Sequence, residues 1–99
     1  MKRKTVVSST VIDKNVKDMM DAYIEDTGVL TAAFLEKALD LYEEVGCKFE
    51  VYEIMDPVKF PLRIYDETKG KVDKLAKERA LTRNIIWNQA IKDYLYIKK

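Results

Sequence analysis

The stretch KFPLRIYD, Lys59–Asp66, decides the fold of this chain. Successive side chains of a strand point to opposite faces, so this stretch has two different sides. One side is apolar and consists of Phe60, Leu62 and Ile64. The other is polar and basic and consists of Lys59, Pro61 and Arg63. Because an isolated strand is marginal in water, it needs a partner, which the sequence supplies in KTVVSSTVID, Lys4–Asp13.

The chain also contains an internal repeat, in which each strand is followed by two helical patterns. Matching positions are 52 residues apart and include the strand, the break and both helices. The matched pairs are Ile12 with Ile64, Val16 with Thr68, Met20 with Val72, Ile24 with Ala76, Gly28 with Ala80, Phe34 with Ile86, and Ala38 with Ala90. This repeat predicts one strand–helix–helix unit written twice.

Apolar residues at helical spacing predict where the helices lie. The predicted ranges are 15–26, 31–44 and 66–79, with a last helix that follows Thr82. Asp13 and Thr82 are predicted N-caps, and Gly28 suits the left-handed position just past the first helix. The aromatic residues of these helices are predicted to lie in the core or on helix faces.

The segment CKFEVYEIM, residues 47–55, alternates between strand-forming and charged residues and predicts an extra strand. The turn signal Asp56-Pro57 predicts that this strand folds back as a hairpin onto residues 59–65. The predicted fold is therefore α+β, mainly α with a small antiparallel sheet. It is one domain, 1–99, with a first unit at 4–44, a linker carrying the extra strand at 45–58, and a second unit at 59–97.

Composition narrows the class of protein. The longest apolar runs are far shorter than a membrane span requires, and no signal peptide precedes the first strand, so we expect a cytoplasmic protein without a membrane partner. The chain has no His and a single Cys47. A zinc site is therefore out of reach and the usual nucleophile and acid–base sets are missing, so no metal, cofactor, small-molecule ligand or enzymatic activity is expected.

The tandem pattern resembles the ribbon-helix-helix family of DNA-binding proteins, the group of the Arc and MetJ repressors, and in its fused form is similar to regulators of archaeal viruses. The resemblance covers nearly the whole chain except residues 45–58. It implies an intramolecular pseudo-dimer whose two strands form a ribbon for the major groove of double-stranded DNA. The expected function is that of a sequence-specific transcription regulator, a repressor or an activator, which in a viral protein would act in the host cytoplasm. The alternative is an antitoxin-like protein-interaction module.

Candidate base contacts lie on the two strands. Lys59 and Arg63 share the polar face of the second strand, and Arg with guanine is the commonest specific major-groove contact. In the first strand two registers stay open, because a slip of one residue exchanges the two faces. Spacing from Ile12 turns residues 5, 7, 9 and 11 outward, whereas polarity turns 4, 8 and 10 outward. The candidates from both registers are Lys4, Thr5, Ser8, Ser9 and Thr10.

Candidate phosphate contacts lie at helix starts and in the basic N-terminal arm. Helix N-termini present N–H groups and a positive dipole end, which favours phosphate. The residues concerned are Thr31, Thr82, Arg83 and Asn84, together with Lys2 and Arg3 of the arm.

Charge is divided unequally along the chain. Residues 1–56 carry 7 Lys+Arg and 12 Asp+Glu, a net −5, while residues 57–99 carry 11 and 5, a net +6. Two molecules side by side on DNA could oppose an acidic first half to a basic second half. This asymmetry predicts self-association along DNA.

Overall fold

The computed structural model describes residues 4–45 and 54–98 of the chain. These residues form four helices and a two-stranded antiparallel sheet, so the α+β class expected from the sequence is confirmed. The element order is β1 (Thr5–Asp13), α1 (Lys14–Thr27), α2 (Thr31–Val45), β2 (Pro57–Tyr65), α3 (Asp66–Arg79) and α4 (Arg83–Lys98).

The element boundaries repeat along the chain. Thr5 and Pro57, the first residues of β1 and β2, are 52 positions apart, as are Lys14 and Asp66, the first residues of α1 and α3. The strands have 9 residues each and these two helices 14 each. The predicted helix boundaries are correct to within one or two residues, because the apolar periodicity that defined them also defines the buried faces.

The two strands pair antiparallel along their whole length, with Ser9 opposite Pro61 at the centre. At each end a helix start bonds to the residue that precedes the other strand. Lys14 N donates to Asp56 O at 2.9 Å, and Asp66 N donates to Lys4 O at 3.0 Å. The two bonds are equivalent under the 52-residue spacing, so the same backbone contact is present at both ends of the sheet.

The core lies between the inner face of the ribbon and the helices. Ile12, Leu62 and Ile64 are fully buried on the ribbon side. Trp87 and Ile91 of α4 are also fully buried, and the rings of Tyr23, Phe34 and Tyr94 pack at centroid distances of 5.3–6.2 Å. The prediction that aromatic residues belong to the core or helix faces is therefore confirmed for these side chains.

The helix ends follow the predicted chemistry in three places. The Asp13 carboxylate accepts from Asn15 N at 3.2 Å and caps α1, and Gly28 ends that helix with φ 71°. Thr82 Oγ1 accepts from Ile85 N at 3.2 Å and caps α4. The residue that ends α3 is Ala80, with φ 54°, a left-handed conformation that is costly for a residue with a Cβ.

Two predictions fall on residues outside the described ranges. Most of the predicted extra strand at 47–55, and with it the predicted hairpin, lies there, and so do Lys2 and Arg3 of the basic arm. The described Ile54 and Met55 are not in a strand. In the described part of the chain β2 pairs with β1.

Candidate nucleic-acid interface

The outer face of the β1–β2 ribbon is a polar surface turned away from the helices. The pairing brings Thr5 opposite Tyr65, Val7 opposite Arg63, Ser9 opposite Pro61, and Val11 opposite Lys59. Ser9, Lys59, Pro61 and Arg63 are exposed, and 56% of Val7 is accessible. The spacing register, with Thr5 and Ser9 outward, is therefore the one that the structure has.

The polarity register of β1 is wrong, and two predicted base contacts are corrected with it. Ser8 and Thr10 lie on the inner face and retain only 8% and 5% of their exposed surface. Ile12 has the same parity and must be buried, so the period of two carries Ser8 and Thr10 inward. The buried Thr10 hydroxyl donates a hydrogen bond there to the Ser8 carbonyl oxygen at 3.2 Å. Neither side chain is available to a partner.

Lys4 is exposed but stands just before β1 rather than within it. Its carbonyl oxygen accepts the bond from Asp66 N, which fixes the backbone at this end of the ribbon. Lys4 has the same parity as Ser8 and Thr10, so the structure does not bring its side chain onto the outer face with Lys59 and Arg63.

The outer face is positively charged. Lys59 and Arg63 are both exposed there, and the acidic residue at the end of β1 does not oppose them, because Asp13 is only 2% exposed. Its carboxylate accepts from Asn15 N and from Met55 N at 3.2 and 3.3 Å. Among the described outer-face residues there is thus no exposed carboxylate to repel a polyanion.

Arg63 is oriented by a contact across the ribbon. Its Nη1 donates to Thr5 Oγ1 at 3.3 Å, on the face directed away from the core. Thr5 lies opposite Tyr65 in the pairing, so this contact is diagonal. A diagonal contact of this kind is within reach of long side chains in an antiparallel pair. The guanidinium is therefore held over the ribbon with further N–H donors left for a partner.

The start of α4 lies beside the same surface. The Asn84 amide oxygen accepts from Val11 N at 3.1 Å, on the β1 edge that faces away from β2. A concavity of about 380 Å³ beside this bond is lined by Ser9, Thr10, Val11, Lys59, Phe60, Pro61 and Asn84. The predicted candidates Asn84 and Lys59 are thus brought together at one place.

The two predicted residues that precede Asn84 are also exposed at this helix start. Thr82 forms the N-cap already described, and Arg83 Nη1 lies 3.1 Å from an Asp73 carboxylate oxygen on α3. The ion pair is solvent-exposed on both sides and is therefore worth little energy. The first N–H groups of a helix have no partner within the helix, so this end can present them to an anion.

Thr31 does not occupy the position of Thr82. It is the first residue of α2, and the residue that precedes it is Leu30, whose carbonyl oxygen accepts from Phe34 N at 2.9 Å. Leu30 is 71% exposed and offers no side-chain cap. The polar and basic helix start therefore belongs to α4. Under the 52-residue spacing Thr31 corresponds to Arg83, the first residue of α4, and the equivalent of Thr82 is Leu30.

Asn88 is a structural determinant that the sequence did not reveal. It is fully buried one turn after Asn84, and its Oδ1 accepts from Asp13 N at 2.8 Å. Its Nδ2 donates to Val11 O at 3.1 Å and to Asn84 O at 2.7 Å. Two asparagines four residues apart thus replace a neighbouring strand at the edge of β1. The spacing was the available signal, but the partner lies more than 70 positions away.

An ion cluster joins α2 to α3. Lys71 bonds to the Asp40 carboxylate and lies 3.1 Å from Glu43. The bond that Lys71 donates to Asp40 raises the pKa of Lys71 above its usual value, although partial burial acts in the opposite direction. These two carboxylates belong to the acidic first half of the chain and are bound to a lysine of the same chain.

Two kinds of site are missing from the described ranges, 4–45 and 54–98. No helix there is long and apolar enough to cross a membrane. No group of three or more His, Cys, Asp or Glu residues there could hold a metal ion.

Comparison of the chain with protein-family models, with curated proteins and with solved structures finds no match.

Proposed function

We propose that the protein is a sequence-specific regulator of transcription that binds double-stranded DNA by inserting the β1–β2 ribbon into the major groove. The observation that carries this proposal is the outer face of the ribbon. Lys59 and Arg63 project from it with Thr5 and Ser9, and the described residues of this face include no exposed carboxylate, while exposed Asp56 and Asp66 flank β2 at its two ends. A major groove about 12 Å wide admits a two-stranded ribbon.

We also propose that the two halves form a fused ribbon-helix-helix pseudo-dimer. The support is the 52-residue repeat of element boundaries and the pair of equivalent bonds between each helix start and the residue before the other strand. Both strands of the ribbon belong to one chain, so the groove-binding surface requires no association of subunits.

Phosphate contacts complete the proposed docking. The start of α4 lies beside the ribbon, where Asn84 joins it to β1; it carries the N-cap Thr82 and the exposed Arg83, whose guanidinium contacts Asp73 of α3. Contacts to phosphate position a protein on the duplex, while base contacts select sequence. Arg83→Ala should therefore weaken binding to all duplexes alike and reduce the slope of log K against log salt by about 0.9, the value for one phosphate contact.

The test is a comparison of matched charge-removing variants in a duplex-binding assay. Lys59→Ala and Arg63→Ala remove exposed charges from the ribbon, while Lys74→Ala removes one from α3, where the side chain is 73% exposed and 3.8 Å from Glu78. Ribbon variants should lose affinity for a selected site, with Arg63→Ala also losing preference over random DNA by ~1–3 kcal/mol. Lys74→Ala should retain both.

Absence of binding of the unaltered protein to any duplex would refute the proposal. Equal losses for Lys74→Ala and the two ribbon variants would show that net charge, rather than the ribbon face, governs the interaction.

A further inference from the structure

The outer face of the ribbon has a centre and two unlike sides. Ser9 lies opposite Pro61 at the centre of the ribbon, and these two residues are also equivalent positions of the repeat, because they are 52 positions apart. A local two-fold axis of the repeat therefore passes between them. If the halves were identical, the residues on one side of this axis would reappear on the other.

They do not reappear. On one side, which we call the Arg63 side, Arg63 faces Val7 and bonds to Thr5 at 3.3 Å. On the other, the Lys59 side, Lys59 faces Val11. Each side thus has one cation and one valine, but the cations are of different kinds and only the guanidinium is held in place by a described side chain.

Arginine and lysine differ in what they can distinguish. A guanidinium is planar and bonds the O6 and N7 atoms of guanine through two parallel N–H donors, whereas an ammonium is a compact charge on a flexible stem. The single exposed bond to Thr5 favours a placement of the Arg63 guanidinium on the outer face before any partner binds, which reduces the entropy lost on binding. The Arg63 side is therefore built to read a base.

The Lys59 side is suited to contacts with the phosphate backbone of DNA. Asn84 bonds to Val11 there, so the start of α4 lies on this side, and Lys59 and Asn84 line the same concavity. A flexible ammonium beside a helix N-terminus suits phosphate, whose charge it can approach from many directions.

We infer that the protein reads an asymmetric DNA site in a single orientation, with a guanine specified on the Arg63 side and backbone contacts on the Lys59 side. This inference rests on the proposed function and deepens it. Arg63 and Lys59 are four residues apart on β2, which is about 13 Å along a strand. That distance corresponds to about four base-pair steps of 3.4 Å.

The experiment is selection of duplexes from a randomised pool by the purified full chain, followed by affinity measurements on the enriched sequence. One guanine should be enriched on one side of the site, without a counterpart at the mirror position. Replacing it should reduce affinity about 5- to 150-fold, and replacing bases on the other side should have a much smaller effect.

Exchange of the two cations provides the matched variants. Arg63→Lys should lose most of the guanine preference, while Lys59→Arg should add a second guanine on the other side. The double variant, Lys59→Arg with Arg63→Lys, should move the preferred guanine by about four base pairs. Both positions are exposed, so each variant keeps its fold, which thermal melting checks.

The outcomes separate the inference from the function on which it rests. Enrichment of a palindromic site, or tight binding with no enriched base, would overturn the asymmetric reading while the ribbon still binds DNA. No binding to any duplex would overturn both. A double variant that keeps the original guanine would likewise overturn the assignment of reading to Arg63.

Discussion

Replacing Asn88 by Leu should destabilise the protein more than any other single polar substitution at the edge of β1. Leu has a similar shape but no polar atoms. The change leaves two β1 backbone groups without their partner, the Asp13 N–H and the Val11 carbonyl oxygen, beside a side chain that is fully buried. An unsatisfied buried group costs ~1–3 kcal/mol, so the expected loss is about 2–4 kcal/mol.

A loss of that size is a large part of the total stability of a small domain, which is roughly 5–15 kcal/mol. The measurement is urea unfolding followed by the fluorescence of Trp87, the only tryptophan of the chain and a fully buried one. With a urea dependence of ~1–2 kcal/mol per molar, the unfolding midpoint should fall by about 1–4 M.

The matched control is Asn84→Leu. It makes the same chemical change one turn earlier on α4 and removes a single bond, the one from Val11 N, at a half-buried position. Its expected cost is about 1 kcal/mol. If the two variants have equal midpoints, or if Asn88→Leu loses less than ~0.5 kcal/mol, then the two asparagines do not replace a strand at this edge.

Three other perturbations test separate features of the fold. Gly28→Ala should lower the free energy of unfolding by about 1 kcal/mol, because φ 71° is unfavourable for Ala. Ala80→Gly should raise it by roughly 0.5 kcal/mol, since relief of the strain at φ 54° is partly offset by the greater freedom of Gly when unfolded, and thermal melts that move in the same direction for both would contradict this. The melting temperature should be independent of protein concentration, as for a folded monomer, and a rise on concentrating the sample would instead indicate exchange of halves between chains. The raised pKa of Lys71 means that its bond to Asp40 stabilises the fold fully below the unfolded pKa of 10.5 and less as pH rises through the folded value. Lys71→Met should therefore flatten the decline of stability at alkaline pH, and an unchanged decline would show that the cluster is not responsible.

The order and boundaries of the elements could be predicted from the sequence because they depend on local patterns. Apolar spacing defined α1 to α4, and Asp13, Gly28 and Thr82 marked their ends. The alternation of β2 likewise placed Leu62 and Ile64 inside, where both are fully buried. These features are set by residues that lie within a few positions of one another.

The register of β1 could not be predicted in the same way, because two local signals disagreed. Hydroxyl groups at positions 8 and 10 suggested an outward face, whereas Ile12 suggested an inward one. Tertiary packing decided in favour of Ile12, since burial of a large apolar side chain outweighs burial of a hydroxyl that can bond to the backbone. Asn88 was missed for a related reason, since a contact with Asp13 spans 75 positions.

The presence of both ribbon strands in one chain alters how the surface can change over time. When a ribbon is made from two copies of one chain, each substitution appears in both strands, so a harmful substitution affects both halves of the ribbon. Here β1 and β2 are encoded separately, so equivalent positions can carry different residues. Val7 lies opposite Arg63, whereas Lys59, the repeat equivalent of Val7, lies opposite Val11. The helix ends at Gly28 and Ala80 also differ. Both residues are left-handed, but only Ala80 has a Cβ, so the strain is present in one half and not in the other. Each half of the ribbon can therefore acquire its own contacts, one mutation at a time.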